Sequence, residues 1–322
     1  GLNGCTTLVR NNVVTNNTST YGGAGISIWP NADASISGNV IAANAAGTIG
    51  GGIYIGNGPA APEITNNLVL MNTANTGGGG LSCYQATPTL FNNTIMENSA
   101  PSGGGMYCQV DSTVTIFNTI FWNNVATTGK EIWIGTTSAP SALSIRYSDI
   151  QGGMGSVHLE AGSILNWGLG MIDEDPLFCT GPYGEYPQYY LGQDPCPPGV
   201  VNPCVDAGNP FSQMIEGTTR TDCHPDTGIV DMGYHYPLLD TATADLEALP
   251  NEGVLPFTSQ FSVTLGNPIA CDRTVAGRID VTLAGGTSFM NWRAGYTNLG
   301  PDGTYATSWQ QAFPALGSLV GE

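Results

Sequence analysis

The chain has 322 residues, of which 25 are acidic and only 7 are Lys or Arg, for a net charge of −18. That balance excludes a protein that tracks nucleic-acid phosphates, which needs clustered cations. No apolar run approaches the ~18 residues a membrane-spanning helix requires. With 41% hydrophobic residues the composition is not that of a disordered chain either. No Lys/Arg-led apolar leader opens the sequence, which reads as a mature form or a fragment. The charge is unevenly placed. Residues 1–150 hold only Arg10, Lys130 and Arg146 against Asp33, Glu63, Glu97, Asp111, Glu131 and Asp149.

A repeat explains that neutrality. Glycine-rich stretches end at Ile28, Ile55, Cys83, Cys108 and Ile134, at intervals of 27, 28, 25 and 26 residues. Each is followed by a pattern of apolar-x-Asn-Asn-x-apolar, over Val9–Val14, Ile36–Ile41, Ile64–Val69, Leu90–Ile95 and Ile116–Phe121. Within it one column reads Asn12, Asn39, Asn67, Asn93 and then Thr119. A second column, five residues on, reads Asn17, Asn44, Asn72, Asn98 and Asn124. Asn, Gly, Thr and β-branched residues disfavour helix and favour strand. About 26 residues accommodate three short strands and their turns, one coil of a parallel β-helix. Coils stack at the interstrand distance of ~4.8 Å, which places equivalent residues above one another. Asn columns can then form amide ladders, Ile and Val columns fill the interior, and stacked like charges are avoided because they repel.

The repeats resemble the right-handed parallel β-helix proteins of bacterial surfaces. A last coil, LSIRYSDIQGG (Leu143–Gly153), is followed by DEDPLF (Asp173–Phe178), NPCVDAGNP (Asn202–Pro210) and RTDCHPDTGIVDMGYHYP (Arg220–Pro237). This ordered series looks like the terminal segment of β-helix proteins that carry a choice-of-anchor module. The resemblance implies secretion and attachment to the cell surface, and it implies no particular reaction.

A linker is expected over 238–256. The alternating segments FTSQFSVTL, AGRIDVTLA, FMNWRAGYTNL and GTYATSWQQAF then predict antiparallel strands. The expected fold class is all-β: coils over 1–153, a terminal coil and loop-rich capping region over 154–237, the linker, and an immunoglobulin- or fibronectin-like sandwich over 257–322. That sandwich is expected to be incomplete, because such a domain needs about seven strands in ~100 residues.

Candidate chemistry is sparse. A lyase site needs several carboxylates for Ca²⁺ and a cationic base on one face, and a glycosidase needs two carboxylates at a defined separation. Neither pattern is present in the coils, so no catalytic and no cofactor-binding residue is assigned. Asp222, Asp226 and Asp231 crowd a Gly/Pro-rich loop. They read either as a Ca²⁺ site or as turn-capping carboxylates with Arg220 nearby. The eight cysteines show no CxxC spacing, which argues against zinc. Cys83 and Cys108 share a column in successive coils and read either as a disulfide or as two buried thiols. Cys179, Cys196, Cys204 and Cys223 are expected to form two bridges. Tyr183, Tyr186, Tyr189 and Tyr190 read either as a sugar-stacking surface or as a cover for the end of the helix.

The resulting expectation is an extracellular, non-enzymatic structural or adhesive protein of the bacterial surface. Self-association, including head-to-tail filaments through the coil end and the sandwich edge, or surface anchoring would supply its partners. The alternative is a carbohydrate-active enzyme or glycan-binding module that uses a groove along the helix.

Overall fold

The computed structural model describes residues 6–30, 32–193, 196, 198–199 and 201–238, together with the backbone of five further strands toward the C-terminus. Two compact units result, Gly1–Leu238 and Leu239–Glu322.

The first unit is built on three long parallel sheets whose strands follow one another in rotation, with a fourth, short one of Thr18–Ser19, Ala45–Ala46 and Thr73–Ala74 between the second and the third. Face one stacks Thr6–Arg10, Asp33–Ser37, Glu63–Thr65, Thr89–Phe91, Thr113–Phe117, Ala142–Arg146 and Ile164–Trp167. Face two stacks Val13–Thr15, Val40–Ala42, Leu68–Leu70, Thr94–Met96, Ile120–Trp122 and Asp149–Ile150. Face three stacks Ile26–Ile28, Ile53–Gly56, Leu81–Tyr84, Met106–Gln109, Ile132–Ile134 and Val157–Leu159. The register is strict, so Ile36, Ile64, Leu90, Ile116 and Ile145 align, as do Ile41, Val69, Ile95, Phe121 and Ile150. These columns fill one continuous apolar interior.

The corners explain the Asn-Asn pairs. The turn from face one to face two needs a left-handed residue, supplied by Asn11 (φ 56°), Gly38 (φ 64°), Asn66 (φ 55°), Asn92 (φ 50°) and Asn118 (φ 50°). Asn and Gly tolerate that conformation best. The second residue of each pair turns inward. Asn12 Nδ2 donates to Asn39 Oδ1 at 3.0 Å, Asn39 to Asn67 at 3.0 Å and Asn67 to Asn93 at 3.0 Å. At the next corner Asn17, Asn44, Asn72, Asn98 and Asn124 are linked in the same way at 2.9–3.0 Å. Each Oδ1 also accepts the backbone N–H of the preceding rung, and each Nδ2 from the second rung on also donates to a carbonyl one coil back, as from Asn72 to Ile41 O at 2.8 Å. One buried amide therefore joins three coils and leaves no corner group unsatisfied. The first ladder converts to hydroxyls at its far end, where Asn93 N donates to Thr119 Oγ1 and Thr119 N to Ser148 Oγ.

The second ladder ends by exchanging side chains between two columns. In the register that pairs Phe121 with Ile150, the position following Asn124 is Gly153, which has no amide to offer. Elsewhere a glycine column lies beside this ladder. A Cβ at Gly80 would meet the Gly105 carbonyl at 2.6 Å and Asn98 Nδ2 at 2.9 Å. At the last full coil that glycine column carries Glu131, aligned with Gly105, and Asn124 Nδ2 donates to its Oε2 at 2.5 Å. Glu131 is fully buried and its Oε1 has no hydrogen-bond partner. Burial pushes its carboxyl up to about 7 against the pull of Asn124 and Lys130.

Both sides of face two are apolar, because a cover formed from residues beyond Pro176 lies on its outer surface. Leu68, Leu70, Met96, Ile120 and Trp122 pack against Tyr189, Tyr190, Leu191, Cys204, Met232, Tyr234 and Tyr236. Tyr190 and Tyr236 stack with centroids 3.7 Å apart and rings 5° from parallel. Tyr189 donates to Glu97 Oε2 at 3.0 Å. The tyrosines therefore cover the flank of the β-helix, where the outward positions of face two are too apolar to face water, and not its end. Val13, on the first rung, is not covered and is 53% exposed.

The cysteines take the buried-thiol reading at the coil pair and depart from the expected bridges in the cover. Cys83 and Cys108 stand opposite each other in register as free, buried thiols. Parallel neighbours keep their Cβ atoms close to the ~4.8 Å strand spacing, whereas a disulfide needs ~3.8 Å. Cys179, Cys196 and Cys204 are also free, so the two expected bridges are not formed. Cys204 is fully buried, and its thiol donates to Asp149 Oδ2 at 3.2 Å. Cys223 is disulfide-bonded, and its partner lies outside the described residues, as do Cys5 and Cys271.

In the second unit Thr243–Leu249, Phe257–Gly266 and Thr304–Phe313 form one antiparallel sheet, and Arg273–Thr282 pairs antiparallel with Ser288–Leu299. The stretch expected as a linker thus supplies the strand Thr243–Leu249.

Candidate ligand-binding cleft

The cover is held to the coils by the corner asparagines. Asn66 Nδ2 donates to His235 O at 3.0 Å and its Oδ1 accepts His235 N at 2.6 Å. Asn92 Nδ2 donates to Asp231 O at 2.7 Å. Asn118 Oδ1 accepts Asn209 N at 2.8 Å, and its Nδ2 reaches Ser212 Oγ at 3.2 Å. Asn66, Asn92 and Asn118 are therefore docking residues as well as corners. Sequence spacing marked the column without showing this use, because its partners lie 91–169 residues away.

Anchored at Asn209, the chain over 209–216 leaves face two and runs across the outer surface of face one. A cleft opens beneath it in two chambers that share Thr65, Met214 and Ile215. The first, about 350 Å³, lies where the corner column carries Gly38 and so has no amide to fill the gap. Arg10, Glu216 and the Tyr234–His235 segment line it. The second, about 450 Å³, is lined by Glu63, Thr89, Phe91, Phe211 and Gln213. Phe211 is 92% exposed and Met214 41%. Phe91 packs against Phe117 with centroids 5.3 Å apart and rings tilted by 37°, extending the aromatic surface along the coil axis. An aromatic ridge, hydroxyls, amides and isolated charges in an open groove suit an uncharged polyhydroxylated chain.

The acids with raised pKa lie elsewhere, inside the protein. Burial pushes Asp149 up to about 7, although Cys204 and Glu174 N–H donate to it. Burial, then the charge of Asp226, pushes Asp231 up to about 6. Asp231 accepts from Asp206 N at 2.7 Å and from the Thr219 hydroxyl. Asp226 Oδ2 accepts from Asp231 N and faces His235 Nε2, both at 2.9 Å, while His235 Nδ1 faces Gly233 O at 3.1 Å. His235 is thus held by an oxygen at each ring nitrogen, one of them from the buried Asp226 side chain.

The three aspartates of the possible Ca²⁺ site are engaged by protein donors in this arrangement. Asp222 is held by Arg220, whose Nε donates at 2.8 Å, and by His224 N–H at 3.2 Å. Burial raises its pKa, but these donors and the guanidinium charge outweigh burial and hold it below the usual range. Asp222, Asp226 and Asp231 thus serve separate donors. Among the described residues no three His, Cys, Asp or Glu side chains converge on one point. The acids of DEDPLF cap turns, with Asp173 accepting Gly152 N–H at 2.8 Å and Asp175 accepting Leu177 N–H at 2.9 Å.

Residues 2–150 match the family described as "Right handed beta helix region". The stacked parallel sheets and this match together make the first unit a right-handed β-helix. The coils continue past the matched residues to Trp167. No curated protein and no solved structure matches the chain. No helix among the described residues is long and apolar enough to cross a membrane.

Proposed function

We propose that this β-helix repeat protein is an extracellular, non-enzymatic structural and adhesive protein, and that the cleft under residues 209–216 is its contact with a neutral glycan. The observation that carries this reading is the separation of roles. The acids whose pKa burial raises hold the fold together from inside, while the open cleft presents Phe91, Phe211, hydroxyls and amides. The series DEDPLF, NPCVDAGNP and RTDCHPDTGIVDMGYHYP, and the antiparallel strands after it, support surface anchoring through an immunoglobulin-like second unit. Closure of the second ladder by Glu131 favours display over stacking at that end of the rod, since no amide continues the column there.

The test is a glycan array followed by calorimetry on the hits and a product assay on the same sugars. Binding without turnover is expected. Release of unsaturated or reducing sugar products would overturn the non-enzymatic reading in favour of a carbohydrate-active enzyme. Absence of any bound sugar would remove the glycan as the cleft's ligand.

A further inference from the structure

The cover contains two thiols that its other contacts do not use. Cys179 and Cys196 sit at the two ends of the segment that carries Tyr183, Tyr186, Tyr189 and Tyr190. Backbone pairing draws those ends together. Cys179 and Tyr190 exchange hydrogen bonds at 2.9 and 3.2 Å, and Cys196 N donates to Gln193 O at 2.6 Å. The Cys179 thiol then lies 3.2 Å from the Cys196 carbonyl. Both residues are partly exposed, within reach of a soluble oxidant, whereas Cys204 is sealed against Asp149 and Cys83 and Cys108 are fully buried in the coils. Cys223, in the same cover, is already disulfide-bonded.

We propose that Cys179 and Cys196 form a disulfide site that latches the cover onto face two. In the reaction a low-molecular-weight disulfide accepts two electrons. One thiolate attacks it and displaces a thiol, and the second thiolate then attacks the mixed disulfide. The Cys179 Sγ–Cys196 Sγ bond forms, each cysteine loses its proton, and the oxidant leaves as two thiols. The bond would close the loop whose Tyr189 and Tyr190 pack on the outer residues of face two, restricting the opened cover more than the closed one. Burial, and after it the adjacent Cys196, pushes the Cys179 thiol up to about 12, so the exchange should accelerate as pH rises through the alkaline range. The proposal does not depend on the glycan reading, because the test supplies its own oxidant.

The full chain is incubated with oxidised glutathione at pH 8, alkylated without reduction, and mapped by mass spectrometry. A peptide pair joined through Cys179 and Cys196 is expected, with the intact protein lighter by two hydrogen atoms. Its melting temperature should rise by roughly 5–10 °C. The rise should be absent from the Cys179→Ser/Cys196→Ser variant treated in the same way. Alkylation of both cysteines, or a separate glutathione adduct on each, with the Cys223 bridge still intact, would overturn the proposal. A bond that forms with no change in melting temperature or in protease resistance of the 179–196 loop would overturn the latch.

Discussion

The coils and the cover solve one problem in opposite ways. Both must satisfy buried polar groups, the coils at every corner and the cover wherever irregular backbone meets the apolar flank of face two. The coils use one repeated device at two of their corners, an amide tied to the coil before and the coil after, as Asn98 is tied to Asn72, Val69 and Asn124. The cover uses a different device at each point: the Tyr190–Tyr236 stack, the Asp226–His235 hydrogen bond, and the Cys204 thiol on Asp149. Failure of one repeated unit strands groups in two neighbouring coils, whereas failure of one cover contact loosens a single place. Mutations should therefore cost more in the coils than in the cover.

The sharpest break in that comparison is Asn98→Ala. It removes the acceptor for Asn72 N–H and Nδ2 and the donor to the Val69 carbonyl, all buried. Buried groups left unpaired cost about 1–3 kcal/mol each, so a loss of roughly 4–6 kcal/mol is expected, read from the urea midpoint. The same change at Asn12 should cost under about 1 kcal/mol, because its amide is part-exposed and only its donated bonds are lost. Equal losses at the two sites would mean that the ladder does not act as a connected unit.

Next in size is Tyr190→Ala in the cover. Tyr190 is fully buried, stacked on Tyr236, and donates to Tyr183 O at 3.1 Å. Truncating a buried aromatic costs about 3–5 kcal/mol. Hydrogen exchange should speed up in the cover while the Asn72 and Asn98 amides stay protected. Uniform loss of protection would show that the cover and the coils open as one.

The contrast also explains what the sequence made legible. The coil register could be read from Asn39, Asn67 and Asn93 because stacking repeats a local requirement at a fixed interval. The cover has no such interval. Nothing local to Tyr190 shows that it lies on Leu68 and Met96, and nothing local to Asp226 shows that it serves His235 and not a cation. The aspartate trio therefore resembled a Ca²⁺ loop by composition alone. The second use of Asn66, Asn92 and Asn118 was hidden for the same reason, as was the cleft, about a third of whose lining comes from residues 209–216.

A smaller effect separates the regions by pH. Glu131 in the coils and Asp149 beneath the cover both have folded pKa values raised to about 7. The folded state then binds protons that the unfolded state has released, so stability is greatest at low pH within this window and falls as pH rises from about 5 to 8. Each group contributes ~2 kcal/mol over that range at 1.36 kcal/mol per pKa unit. Asp231, raised to about 6, adds a smaller contribution of the same sign, so Glu131→Gln, which keeps an acceptor for Asn124, should remove roughly a third of the slope. An unchanged slope in denaturant midpoints at pH 5 and pH 8 would show that Glu131 ends the ladder as a carboxylate.

The smallest effect on stability should fall on the cleft, where the comparison between coils and cover meets function. Phe211 is 92% exposed and its ring contributes little to the folded state, so Phe211→Ala should shift the unfolding free energy by no more than ~0.5 kcal/mol. If the cleft holds a sugar chain, the same ring supplies a stacking face, and losing it should weaken binding by roughly 10-fold, the equivalent of ~1.4 kcal/mol. Asn118→Ala should weaken binding by a different route. It leaves face one intact but removes the amide that positions Asn209 and Ser212, and with them the 209–216 segment of the cleft. A glycan that binds Phe211→Ala as tightly as the parent protein, while Asn118→Ala abolishes binding, would place the contact on the backbone of the crossing segment and not on its aromatic ridge.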